Sequence, residues 1–102
     1  MKMYLISDNI DTLTGMRLAG IDGVVVHAEK EIEEELDRIL RDREVGVLLV
    51  TEIINHMVEK RIAQIKLEYA TPLIVVVPDR HGSTRGLDSI TKYVREAIGL
   101  KI

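Results

Sequence analysis

The chain has 102 residues, 46% of them hydrophobic, which is enough for a single domain with one hydrophobic core. Its formal charge of −3 argues against a strongly basic nucleic-acid-binding protein. The lack of any cysteine excludes disulfides, thiolate catalysis and cysteine-ligated metals together.

The hydrophobic segments are too short to cross a membrane. The longest apolar runs lie at residues 45–50 and 73–77, whereas a membrane-spanning helix needs roughly 20 residues. The first eight residues also lack the long apolar stretch and small-residue cleavage site of a secretory signal. We therefore expect a cytoplasmic protein with no segment inserted in the membrane.

Four short apolar runs predict β-strands, at residues 3–7, 24–27, 46–51 and 73–77. Helical patterns separate these runs, and such alternation favours a parallel sheet with helices on its faces. The third and fourth runs are continuously apolar, as strands covered on both faces are. We therefore expect these two strands at the centre of the sheet.

The segment after the first strand is typical of a turn followed by a helix. Asp8, Asn9 and Asp11 carry the short polar side chains that favour turns and helix N-caps. Gly15 and Gly20 follow, and we interpret them as residues for close helix packing and helix termination.

Two longer amphipathic helices are predicted at residues 29–42 and 52–68, because apolar residues recur there every three or four positions. The first stripe consists of Ile32, Leu36, Ile39 and Leu40, and the second consists of Ile54, Met57, Val58, Ile62 and Ile65. We interpret the acidic residues of the helix at 29–42 as a solvated face and not as an acidic docking surface. Thr51 is a candidate N-cap for the second helix.

The chain is predicted to form one domain in three parts. Residues 1–77 form the α/β core, and residues 78–86, which include no apolar side chain, form a loop. Arg80 and Arg85 in this loop could hold an anion, although we favour a solvated hinge. Residues 87–102 form a C-terminal helix with an apolar stripe at a spacing of three and four, and Gly99 is a natural stop for it.

The sequence lacks individual residues that phosphate-binding motifs require. Gly15 and Gly20 have the glycine spacing of a P-loop, but Ile21 and Asp22 occupy the positions of its lysine and serine or threonine. A receiver-type phosphoacceptor needs a carboxylate at the end of the third strand, where this chain has Thr51 followed by a glutamate. Phosphotransfer is therefore not expected.

Metal binding is not expected either. His27, His56 and His81 lie on different predicted elements, without the spacing that brings two histidines onto one ion. Nucleophile, base and orienting group do not converge anywhere in the sequence. We therefore predict no catalytic, cofactor-binding or metal-binding residues and no cofactor.

Five segments, taken in order along essentially the whole chain, resemble the F subunit of the A/V-type rotary ATPases. They are an opening strand that ends in Ser7 and Asp8, the segment 14–21, the strands 46–52 and 72–78, and the final helix 90–99. The resemblance implies a four-stranded parallel sheet flanked by helices. This is a shortened receiver-like, Rossmann-type three-layer α/β fold, with a C-terminal helix that is separable from the core.

The resemblance also implies a function without catalysis. The F subunit of these machines is a central-stalk rotor component that docks on the coiled coil of the D subunit and turns inside the ring of catalytic A and B subunits. Such a component modulates ATP hydrolysis or synthesis coupled to hydrogen ion or other ion transport. It lies in the cytoplasm, peripheral to the membrane, in the soluble V1/A1 sector.

The candidate partner-binding residues belong mainly to the last helix. They are Leu87, Ile90, Tyr93, Val94 and Ala97. This stripe can lie against a coiled coil in the helix-in-groove manner, with Tyr93 as the anchor. The alternative is that the same stripe closes the domain's own sheet. Arg17 is a further candidate, or only a charge at the edge of the first helix.

A second functional class stays open at this point. A stand-alone receiver-like signalling adaptor without a phosphoacceptor has the same order of strands and helices. Such an adaptor responds to magnesium, acetyl phosphate or a phosphorylated partner, whereas a rotor subunit forms a stoichiometric complex with a coiled-coil protein.

Overall fold

The computed structural model describes residues 2–78, and the structural statements below concern this range. The elements in chain order are β1 (Lys2–Ser7), α1 (Ile10–Leu18), β2 (Asp22–Val25), α2 (Glu29–Arg41), β3 (Val45–Thr51), α3 (Glu52–Met57), α4 (Glu59–Glu68) and β4 (Leu73–Val77). The predicted alternation of strands and helices is confirmed.

The four strands form one parallel sheet in the order β2-β1-β3-β4. The prediction that β3 and β4 form the sheet centre is right for β3 and wrong for β4, which lies at the edge. A continuously apolar strand indicates that both of its faces are covered. It does not indicate whether the strand has a hydrogen-bonded neighbour on each side. Ile74 and Val75 of β4 are buried on opposite faces although the strand has one neighbour among residues 2–78.

Helices cover both faces of the sheet, which confirms the predicted three-layer α/β fold. On the first face α2, α3 and α4 bury their apolar stripes, including Ile32, Leu36, Ile54 and Ile62. On the second face, called the α1 face, Leu13 and Met16 of α1 pack over the sheet. The sheet residues in this second cluster are Leu5, Val47, Leu49, Val75 and Val77.

Glycines fix the connection between α1 and β2. Gly20 has a φ of +87°, and its amide donates to the Arg17 carbonyl, so its predicted role in helix termination is confirmed. β2 begins two residues before its predicted start because Gly23 is a strand residue opposite Leu5. A Cβ at Gly23 would lie 2.5 Å from the Leu5 carbonyl oxygen, which only glycine avoids.

The predicted helix 52–68 is two helices in the structure. At Val58 the backbone leaves helical geometry, with φ −127° and ψ 38°, and α4 begins directly after it. The Val58 side chain nevertheless stays buried in the same core as Ile54 and Ile62. The apolar spacing of four residues continues across the break, and no proline or glycine marks it.

Candidate functional site

The order of the strands points to the end of the sheet where the carboxyl ends of the parallel strands lie. We call this end the carboxyl edge. From β1 the chain crosses to β2 on one side, whereas β3 lies on the other side of β1. In open α/β sheets, ligands bind at the carboxyl ends of the strands where the chain switches direction in this way. We call the residues at this point, Ser7, Asp8, Asn9, His27 and Thr51, the carboxyl-edge network.

A hydrogen bond bridges the two central strands at this point. The Thr51 hydroxyl donates to Asp8 Oδ1 at 2.7 Å, and the Thr51 side chain is fully buried. Thr51 does occupy the N-cap position of α3 as predicted, but its hydroxyl makes no capping hydrogen bond. The hydroxyl instead connects Thr51 to Asp8, which lies 43 positions earlier in the chain.

Residues at the start of α1 make further hydrogen bonds in the carboxyl-edge network. Asn9 Oδ1 accepts from the Thr12 amide at 2.7 Å, which confirms the predicted N-cap role of Asn9. The buried Ser7 hydroxyl donates to the Asn9 carbonyl at 2.8 Å and accepts from the Asn9 amide at 3.0 Å. The polar groups here satisfy one another, as buried polar groups must.

His27 joins the network from the end of β2. Its Nε2 atom lies 3.0 Å from the Asp8 carbonyl oxygen. Its amide and the Ala28 amide both donate to Glu31 Oε1 at 3.1 Å, which gives α2 a side-chain cap. These hydrogen bonds to the His27 and Ala28 amides lower the pKa of Glu31 below its ordinary value.

The chemistry available at this edge is limited. Within residues 2–78, no group of three His, Asp or Glu side chains is placed to hold a metal ion. The end of β3 presents the Thr51 hydroxyl, already donated to Asp8, where a receiver presents its phosphoacceptor carboxylate. The carboxyl-edge network is a structural connection between β1, β2, β3 and α1.

The amino ends of the strands form the opposite edge of the sheet, which carries exposed apolar side chains. Both α1 and α4 run back from the carboxyl ends of the strands, so they finish at the amino ends, where β4 begins. Four large apolar side chains are exposed at this end of the sheet, Leu18 on the helix of the α1 face and Leu67, Tyr69 and Leu73 around the turn from α4 into β4. We call these four residues the amino-edge surface.

A cavity of about 370 Å³ adjoins the amino-edge surface. It is lined by Lys2, Arg43, Glu44, Val45, Gly46 and Thr71. At its rim Lys2 Nζ lies 3.4 Å from Asp42 Oδ2. The Glu44 amide donates to Asp42 Oδ1 at 2.9 Å, and this bond, helped by Lys2, lowers the pKa of Asp42.

Of the predicted partner-binding residues, Arg17 lies in the described range. Its side chain is 57% exposed in the last turn of α1, and its Nε lies 3.5 Å from Asp22 Oδ1. Arg17 is therefore at the same edge as the amino-edge surface, beside Leu18. Leu87, Ile90, Tyr93, Val94 and Ala97 lie outside the described residues, as do His81, Arg80 and Arg85.

Charged side chains on the first face connect helices to one another. Arg61 of α4 lies 2.6 Å from Asp37 of α2 and 3.6 Å from Glu33. Arg38 lies over the Tyr4 ring at 4.9 Å from its centroid, and burial raises the pKa of Tyr4. Sequence reasoning missed the contact of Arg61 with Asp37 and that of Arg38 with Tyr4, because these partners lie 24 and 34 positions apart, beyond any helical spacing.

Comparison with known proteins identifies the family of the chain. The family model described as "ATP synthase (F/14-kDa) subunit" matches residues 3–94. The chain belongs to this family. It is 34% identical to the F subunit of the A-type ATP synthase of Pyrococcus furiosus and 33% identical to that of Thermococcus kodakarensis, each over 100% of this chain and 98% of the relative. It is also 33% identical to the corresponding F subunit of Methanothermobacter thermautotrophicus, over 90% of this chain and 88% of the relative.

Membership in this family makes the chain an accessory subunit of a rotary ATPase and not an enzyme in its own right. A subunit of an ATP synthase has partner subunits, and the stand-alone adaptor considered from the sequence is disfavoured for that reason. No helix among residues 2–78 is long and apolar enough to span a bilayer.

Proposed function

We propose that this chain is a central-stalk rotor subunit of an A/V-type rotary ATPase, peripheral to the membrane on the cytoplasmic side. In this role it docks on the coiled coil of the D subunit and couples ATP synthesis or hydrolysis to ion transport. The observation that carries the proposal is the family match over residues 3–94, together with relatives that align along nearly their whole length. The carboxyl-edge network supports it, because the usual ligand crevice of such a sheet is bridged by Thr51 and Asp8.

Docking through the predicted last helix is part of the proposal. Leu87, Ile90, Tyr93, Val94 and Ala97 form an apolar stripe at a spacing that suits a groove between two helices. Tyr93 is the proposed anchor, because tyrosine combines a large apolar area with a polar tip. Arg17 is proposed as a second contact, since its side chain is more than half exposed.

The alternative use of this stripe has its own support. Val47, Leu49, Val75 and Val77 are buried on the α1 face. Within residues 2–78, α1 is the helix on that face, and it packs mainly against β1 and β2. Because the β3 and β4 side chains on this face are buried although α1 packs mainly elsewhere, additional cover from the chain beyond residue 78 is favoured. The apolar stripe is the natural candidate for this cover.

Co-expression with the coiled-coil stalk subunit of the same organism, followed by native mass spectrometry, tests the proposal. We expect a one-to-one complex that survives purification without nucleotide or magnesium. The double variant Tyr93→Glu/Val94→Glu should weaken it, whereas Lys92→Glu changes the charge by the same amount outside the stripe and should not. The absence of any complex with the unmodified chain would overturn the rotor function.

The urea midpoint of the isolated chain separates the two uses of the stripe. If the stripe closes the chain's own sheet, Tyr93→Glu/Val94→Glu lowers the midpoint and Lys92→Glu does not. If the stripe serves the partner alone, the double variant weakens the complex and leaves the midpoint unchanged.

A further inference from the structure

We propose that Asp22 is a modification site, at which the folded chain converts an aspartate into isoaspartate without an enzyme. The proposal does not depend on the proposed function. Asp22 and Gly23 form the only Asp-Gly pair in the sequence, and they begin β2. In such a pair the glycine amide nitrogen can attack the carboxyl carbon of the aspartate, because glycine has no Cβ to obstruct the approach.

The structure holds the two reacting groups together. The Gly23 amide donates to Asp22 Oδ1 at 2.8 Å. The carboxyl carbon is bonded to this oxygen at about 1.2 Å, so it lies within about 4 Å of the attacking nitrogen. Groups that are held at such short range need little further reorganisation to react.

The Gly23 amide points away from the strand that pairs with β2. The Val26 amide donates to the Ser7 carbonyl of β1 at 2.9 Å. Amides of alternate residues in a strand point to the same side, so the Val24 amide also faces β1 and the Gly23 amide faces away from it. Within residues 2–78, β1 is the strand that pairs with β2, so the attack breaks no hydrogen bond between these strands.

Solvent has access to the Asp22 carboxyl group. Its side chain is 75% exposed, and its contact with Arg17 at 3.5 Å is an exposed ion pair of the kind that contributes little. Asp42 is arranged differently, because its Oδ1 atom accepts from the Glu44 amide two positions on, and not from the amide of the next residue. The contact between carboxyl group and following amide therefore distinguishes Asp22 from Asp42.

The reaction consumes and releases only water. The Gly23 nitrogen forms a bond to Cγ of the protonated Asp22 carboxyl group and loses its proton, while the carboxyl hydroxyl leaves as water. The product is a succinimide ring. Water then opens the ring: addition at Cγ restores aspartate, and addition at the former main-chain carbonyl gives isoaspartate, in which the chain runs through Cβ and Cγ. No atom is oxidised or reduced.

Isoaspartate would disturb the start of β2. It adds one carbon to the main chain between Asp22 and Gly23, where space is short, since a Cβ at Gly23 would already lie 2.5 Å from the Leu5 carbonyl oxygen. The free carboxylate also moves to the Cα atom and away from its position beside Arg17. We therefore expect the modified chain to lose the pairing of Asp22 with Tyr4 and to unfold at a lower urea concentration.

Peptide mapping of the full folded chain, stored for several weeks in neutral buffer, tests the proposal. Trypsin releases residues 18–30, in which Asp22 is the only aspartate or asparagine, and residues 31–38, in which Asp37 is the only one. Asp37 is 53% exposed and ion-paired, so it is a matched control within the same sample. We expect at least about tenfold more isoaspartate at Asp22 than at Asp37, measured with isoaspartyl methyltransferase and by mass spectrometry.

Two variants test the chemistry of the step. Asp22→Glu keeps the negative charge beside Arg17, but it would have to form a six-membered ring, which closes more slowly. The isoaspartate signal and the fall of the urea midpoint during storage should both be absent from this variant. Asp22→Asn forms the same succinimide with ammonia as the leaving group, so it should accumulate more isoaspartate than the unmodified chain.

The same chain unfolded in urea shows whether the reaction belongs to the folded state. Native conditions leave about one chain in a thousand unfolded or fewer, so a reaction that needs unfolding would be at least about a thousandfold slower in the folded sample. A folded rate within about a hundredfold of the unfolded rate supports the proposal. A slower folded rate, or equal isoaspartate at Asp22 and Asp37, would overturn it.

Discussion

The two edges of the sheet differ in how their polar and apolar groups are used. At the carboxyl edge, buried hydroxyls of Ser7 and Thr51 are hydrogen-bonded to Asn9 and Asp8. At the amino edge, Leu67 and its neighbours are exposed, and the charged groups form ion pairs on the rim. The comparison teaches that an α/β sheet can use its customary ligand edge for internal connection, while apolar side chains stay exposed at its other edge.

Of the changes made at the two edges, breaking the carboxyl-edge network has the largest expected effect on stability. Thr51→Val removes the hydroxyl that Asp8 accepts from, and we expect the free energy of unfolding to fall by about 1–3 kcal/mol. Urea unfolding followed by circular dichroism measures this change. Thr51→Ser retains the hydroxyl and serves as the control. An unchanged midpoint for Thr51→Val would mean that the hydrogen bond does not stabilise this edge.

Acid pH should weaken both edges. The folded pKa values of Glu31, near the carboxyl edge, and Asp42, at the amino edge, are lowered by hydrogen bonds from backbone amides. A lowered folded pKa contributes stability that is present above the unfolded values of 4.5 and 3.8 and is lost as pH falls through the folded values. Urea midpoints at pH 7 and pH 3 should show this loss.

The variants Glu31→Gln and Asp42→Asn separate the contributions of the two edges. Each variant should reduce the difference between the midpoints at pH 7 and pH 3, because one titrating group has been removed. A difference as large as that of the unmodified chain in both variants would assign the acid sensitivity to other carboxylates.

Arg17→Ala should have a small effect. Its ion pair with Asp22 is exposed, and such pairs contribute about 0.2–1 kcal/mol or less. The same substitution in the complex tests the proposed contact with the partner. Lys30→Ala removes a charge from the exposed side of α2 and is the control for a general charge effect. Equal loss of affinity in both variants would argue against a specific contact by Arg17.

The smallest expected effect on stability belongs to the amino-edge surface. Leu67→Ser should change the free energy of unfolding by no more than about 0.5 kcal/mol, because the leucine buries almost no area in the isolated chain. Urea unfolding beside Leu49→Ala, which truncates a fully buried side chain and should cost about 2–5 kcal/mol, provides the scale. A clear loss for Leu67→Ser would place Leu67 in the core and remove the contrast between the edges.

Local patterns predicted the elements well. Apolar spacing identified α2 through Ile32, Leu36 and Ile39, and short polar residues identified the start of α1 at Asn9. Ordered segments along the chain indicated the family, which the comparisons confirm. These features depend on neighbours in sequence, so the sequence displays them directly.

Features that depend on distant residues were not predictable. The edge position of β4 follows from strand order, which face burial does not reveal. The bond between Thr51 and Asp8 needs β1 and β3 to be adjacent, and the break at Val58 leaves the apolar spacing unchanged. The exposed Leu67, in contrast, lies outside the apolar stripe predicted for its helix, which ends at Ile65.

The break at Val58 divides the crossover from β3 to β4 into two short helices, α3 and α4. Val58 is 4% exposed and packs in the same core as Ile54 and Ile62. The crossover is therefore held to the sheet at its midpoint as well as at its two ends. A change in the angle between α3 and α4 would have to open the core at Val58.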